Sequence, residues 1–109
     1  MLRIVVSAVF LVAAAFAAWA DDAQTCQASA GNDTISACTR AIDSRALRGP
    51  AFATLYFYRG LAWQRQGNDA KAIDDYAEAA RIDPTNIGAF NNLCSRYGDR
   101  GEYETAVVY

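Results

Sequence analysis

The sequence predicts an all-α fold built from antiparallel helical hairpins, and three observations predict it. Between Ala53 and Pro84, Tyr56, Gly60 and Trp63 fall on one face of a first helix, and Ala72, Tyr76 and Ala79 on one face of a second. Gly67-Asn68-Asp69 divides the two, glycine as the stop and Asn or Asp as the next cap. The pattern then restarts: 34 residues on, Tyr56, Trp63, Gly67 and Ala72 return as Phe90, Tyr97, Gly101 and Ala106.

Residues 1–20 are of a different material. One positive residue, Arg3, precedes an apolar run from Ile4 to Phe16, and Ala18-Trp19-Ala20 closes it before Asp21-Asp22. A basic start, an apolar middle and a small-x-small end are the marks of an export signal, with cleavage expected after Ala20. The run is shorter than the ~20 residues of a bilayer span, so a membrane association is expected only if the segment is left uncleaved. The expected location is therefore exported, periplasmic or secreted. The 109-residue chain carries ten Lys and Arg against twelve Asp and Glu, and losing Arg3 makes the remaining single small domain more acidic. A mildly acidic chain without a basic stripe is a poor nucleic-acid binder.

Residues 21–50 read as an irregular earlier hairpin. Ile35, Cys38 and Ala41 precede Ile73, Tyr76 and Ala79 by one period plus four residues, the excess fitting a loop from Ser44 to Pro50. Gly31-Asn32-Asp33 is the expected inner turn, with Asn32 or Asp33 capping a helix from Thr34 to Ser44 and a shorter helix, roughly Asp22 to Ala30, before it. Cys26 and Cys38 lie symmetrically about Asn32. In one continuous helix they would be about 18 Å apart, too far to bridge. In an antiparallel pair they reach the same height, and an oxidising compartment would then join them. The alternative is two reduced core thiols.

In the central hairpin, Gly60 disfavours its helix by about 1 kcal/mol, which points to close approach of the second helix. Ala72 opposite Gly60 is expected to let the backbones meet, while Trp63 and Tyr76 fill the wider seam. Asp83-Pro84 ends the pair, since proline disfavours helix at the residue before it. Arg59 interrupts an otherwise apolar pattern. Its stem is expected to pack and its head to reach solvent. After Pro84, residues 87–109 give a full first helix, Ile87 to Arg100, and a second that begins at Tyr103. Arg59 and Gly60 become Leu93 and Cys94, which makes Cys94 a buried spare thiol or, alternatively, an intermolecular link.

A 34-residue helix–turn–helix period is the mark of the tetratricopeptide repeat, and residues 53–86 resemble that family closely. Tyr56, Gly60, Trp63, Ala72, Tyr76, Ala79 and Pro84 occupy its packing positions, with Phe90, Leu93, Tyr97 and Ala106 in a second, incomplete repeat. Arg59 departs from the pattern, where many repeats carry Leu. The resemblance implies a short right-handed α-solenoid whose first helices line a concave groove. By position, the groove residues are Thr54, Phe57, Tyr58, Leu61, Gln64 and Arg65, then Gly88, Asn91, Asn92, Ser95 and Asp99. The family's carboxylate clamp is not rebuilt: Phe57 and Leu61 stand where its Lys and Asn would be. Phe57 and Tyr58 beside Arg65 are anchor-type residues for a peptide or helix, or else both aromatics pack against the preceding hairpin.

Chemistry is scarce. There is no histidine, the usual general base and commonest metal ligand, and no glycine-rich phosphate loop. The cysteines are not spaced as a redox pair. Asp74, Asp75 and Glu78 read as a solvated acidic face rather than a calcium site, which would need a ligand loop. Asn32-Asp33-Thr34 fits a glycan acceptor only in a eukaryotic secretory route. No enzyme, metal or cofactor is therefore expected. The expectation is an exported adaptor or scaffold for a protein or peptide partner. The rival is a structural fragment that self-associates through its apolar end, Val107-Val108-Tyr109.

Overall fold

The computed structural model describes residues 18–28 and 31–99, and all regular structure among them is helical. Helix α1 covers 18–28, followed by α2 (Thr34–Ser44), α3 (Pro50–Arg65), α4 (Asp69–Ile82) and α5 (Ile87–Asp99). The expected leader to residue 17, Gly101, Ala106 and the apolar end lie outside the described residues. Helix α1 begins before Asp21, so the Ala20–Asp21 junction sits inside it, and Trp19 packs on the core.

Local chemistry sets each turn. Gly31 (φ 102) and Gly67 (φ 77) take the left-handed conformations that open the two hairpins. Helix α2 has Asp33 at its N-cap, yet that side chain caps nothing. Instead the buried Thr34 hydroxyl donates to the Gly31 carbonyl at 3.1 Å. Asn68 does cap α4, its Oδ1 accepting from the Lys71 amide at 3.2 Å. Extended Asp83 before Pro84 stops α4. Its carboxylate accepts from Thr85 N at 3.0 Å, and Asn86 Oδ1 then accepts from Ala89 N at 3.0 Å, at the start of α5.

Two apolar clusters form the core. One gathers Ala53 of α3, Ala72, Ile73, Tyr76, Ala79 and Ala80 of α4, and Ala89 and Leu93 of α5. The other gathers Ala23, Cys26, Cys38, Ala41 and Ile42 of the first hairpin with Leu55. Tyr56 packs against both. The Sγ atoms of Cys26 and Cys38 stand 2.03 Å apart, with Cα atoms at 4.7 Å.

The central seam departs from expectation at three residues. A Cβ on Gly60 would lie 2.6 Å from Tyr76 Cε1. The small residue therefore makes room for an aromatic ring, not for the backbone at Ala72. Arg59 does not reach out to solvent: its Nε and Nη2 donate to Asp75 Oδ2 and Oδ1, each at 2.8 Å. Asp75 is correspondingly buried and not part of a solvated face, because the Arg59 guanidinium lies against it, and the same guanidinium donates through Nη1 to Thr39 of α2 at 3.2 Å. Cys94 is half-buried rather than buried.

Candidate partner-binding surface

Helix α3 presents neighbouring residues to different surroundings, since successive side chains on a helix point about 100° apart. Tyr58 turns toward the first hairpin and packs on the α1–α2 cluster. Phe57 turns the other way. Its ring lies 6.0 Å from that of Tyr76, and its edge is where a Cβ on Gly88 of α5 would come within 3.0 Å. The two aromatics still touch edge to face, centroids 5.3 Å apart. Thus Phe57 joins α3 to α5 and Tyr58 joins α3 to α2, so the two do not share one packing partner.

The amide residues of this region divide in the same manner. Gln64 Oε1 accepts from the Tyr76 hydroxyl at 2.7 Å, and the Asn92 side chain hydrogen-bonds the same hydroxyl from α5. Burial pushes the Tyr76 phenol above its ordinary range, and the Asn92 bond offsets part of that rise. Gln64 and Asn92 are accordingly half-buried and used within the fold. Leu61 is half-buried on the α3–α5 cluster, and the Thr54 hydroxyl donates back to Pro50 O at 2.8 Å. Arg65, Asn91 and Ser95 are exposed. The α3 and α5 residues expected in the groove therefore form a surface with Phe57, Leu61, Gln64 and Asn92 embedded in it and Arg65, Asn91 and Ser95 standing out.

Electrostatics organise the opposite side. The bonds to Asp75 hold the Arg59 guanidinium charged, above its ordinary range, and its carbon lies 5.3 Å from the Tyr56 ring centre. Lys71 Nζ sits 4.3 Å over the half-buried Trp63 ring. Glu78 pairs with Arg81 one turn on, and that guanidinium holds its carboxyl below the ordinary value. Arg59, Trp63, Lys71, Asp74 and Asp75 together line a cleft. The signal for the Arg59–Asp75 pair in the sequence is a charged residue at the position that becomes Leu93 one period later.

Among the described residues no group of three His, Cys, Asp or Glu side chains could hold a metal ion, and no helix is long and apolar enough to cross a membrane. Residues 53–86 match the tetratricopeptide repeat family. No curated protein and no solved structure matches the chain.

Proposed function

We propose, from the premise that this chain carries a tetratricopeptide repeat, that it is a non-enzymatic adaptor which binds a peptide or helix of an exported partner across α3 and α5. Tetratricopeptide repeats generally mediate protein–protein interaction, which supports that class of function. The observation that supports the surface is the pairing of embedded apolar residues, Phe57 and Leu61, with the exposed polar residues Arg65, Asn91 and Ser95 beside them. An apolar centre with a polar rim is the anatomy of a recognition site.

Export and a Cys26–Cys38 disulfide belong to the same reading. Two sulfurs at bonding distance on facing helices suit an oxidising compartment, as does an apolar N-terminal segment with one basic residue. Intact mass after alkylation checks the bridge: one thiol reacts before reduction and three after, whereas three before reduction ends it.

Capture from the envelope fraction, with bound proteins identified by mass spectrometry, tests the surface. Asn91 and Ser95 are exposed, so Asn91→Arg with Ser95→Arg leaves the fold intact while blocking the rim. The expected result is a partner held by the native chain and lost by the double variant at unchanged thermal midpoint. Equal capture by both overturns the assignment to α3 and α5.

A further inference from the structure

The arginines of known partnership face carboxylates: Arg40 with Asp22, Arg59 with Asp75, Arg81 with Glu78 and Arg96 with Asp69. Arg45 and Arg48 face none among the described residues. Both stand in the loop between α2 and α3, and they line one cleft with Leu47, Gly49 and Phe52. Leu47 and Phe52 pack on the α1–α2 cluster, so the apolar floor of the cleft is fixed to the core. The Arg45 guanidinium carbon lies 5.9 Å from the centre of the Phe52 ring, an arrangement that orients the cation without neutralising it. Arg45 also holds φ 57 at the end of α2, where glycine would sit without strain. A long cation is kept there nonetheless.

We propose that this cleft docks an acidic segment of a partner protein, one apolar side chain seated on Leu47 and Phe52 and its flanking carboxylates on Arg45 and Arg48. Guanidinium groups match carboxylates in a two-pronged geometry, and arginine with aromatic residues is the usual composition of a binding hot spot. Charge complementarity selects the occupant: the chain as a whole is acidic, yet Arg45 and Arg48, which face no carboxylate among the described residues, are neighbours over an apolar floor. An anionic membrane suits the cleft less, since such surfaces draw on clusters of about 4–8 basic residues. The site lies at the N-terminal end of α3, ahead of the surface assigned above, and does not depend on that assignment.

The probe is a terminally blocked pentapeptide with a central leucine between glutamates, titrated into the full chain and followed by the Nε resonances of arginine and the ring resonances of Phe52. Saturable shifts at Arg45, Arg48 and Phe52 are expected, with affinity roughly tenfold lower in Arg45→Gln/Arg48→Gln. The same peptide with glutamine for glutamate should not bind, a control that needs no variant to fold. Asn91→Arg with Ser95→Arg should leave the affinity unchanged, which separates this cleft from the α3–α5 surface. The proposal is overturned by the absence of a saturable shift, by shifts indifferent to the arginine substitutions, or by binding to vesicles of equal phosphatidylserine and phosphatidylcholine without binding to the peptide.

Discussion

Arg59 and Asp75 bond through two contacts of 2.8 Å, with the Arg59 side chain 20% exposed and Asp75 only 7%. Removing one partner from such a pair strands the other charge in a poorly solvated place. Asp75→Leu should cost about 2–3 kcal/mol, less than a wholly buried pair because Arg59 keeps some water. Arg59→Leu combined with Asp75→Leu should recover much of that loss, since apolar packing can replace an ion pair. Leu93, fully buried one period later, already does so. A double-mutant cycle on thermal unfolding measures the coupling; additive losses would show that the two act separately. At Gly60 two effects oppose each other. Gly60→Ala favours the helix by about 1 kcal/mol, but its methyl would sit 2.6 Å from Tyr76, and such overpacking costs roughly 1–3 kcal/mol. Because the ring is fully buried and anchored by Gln64, overpacking wins and the chain is destabilised. In a Tyr76→Leu background the same alanine should become neutral or stabilising. Tyr76 also carries a pH signature. Its folded pKa is raised above the ordinary 10.0, chiefly by burial. The folded state therefore holds the proton more tightly, and the stability it contributes is complete below pH 10 and lost as pH climbs beyond it. Tyr76→Phe should flatten that alkaline decline in denaturant titrations, and an unchanged decline would assign it to other groups.

Helices were legible where a single face decides them. Tyr76 and Ala79 at helical spacing, Gly67 as a stop and Asp83-Pro84 as an end predict α4 almost to the residue, and Thr34–Ser44 is predicted to both ends. Asp75 was not legible, because beside Asp74 and Glu78 it reads as one more solvated acid. Its burial arises only when α3 packs on α4 and brings the Arg59 guanidinium against it. Of the two aromatics that could both pack on the preceding hairpin, Tyr58 does so and Phe57 does not, because adjacent residues on a helix diverge. Helix α1 is the element that would depend most on the proposed Cys26–Cys38 bridge. Beyond Cys26 it holds on through Ala23, Trp19 and the exposed Arg40–Asp22 pair at 3.1 Å, and exposed pairs contribute at most about 1 kcal/mol. A disulfide closing this loop contributes about 3 kcal/mol. Reduction should therefore lower stability by about that amount, with α1 amides the first to lose hydrogen-exchange protection. Uniform loss along the chain would place the tie's effect elsewhere.

The two apolar clusters could unfold as separate hairpins or as one body, and α3 determines which. Ala53 and Leu55, two residues apart on this helix, enter different clusters, and Tyr56 packs against both. Arg59 then reaches Thr39 of α2 and Asp75 of α4 from the same helix. Losing one hairpin would leave a face of α3 bare and a guanidinium half-satisfied. Stacked repeats behave as units coupled through their nearest neighbours, and here the coupling passes through the interior of one shared helix. The chain should therefore melt in a single transition. Its two tryptophans report the halves separately, Trp19 against the α1–α2 cluster and Trp63 against the α3–α5 cluster. In a chain that keeps its N-terminal segment, Trp63→Phe isolates the first signal and Trp19→Phe the second, and both should coincide with far-UV dichroism. Arg59→Leu alone should pull the curves apart, because it cuts the polar tie to α2 while leaving Asp75 buried without a cation. Coincident curves in that variant would locate the coupling in Tyr56 and Leu55, and separated curves in the native chain would mean that α3 does not bind the two halves into one folding unit.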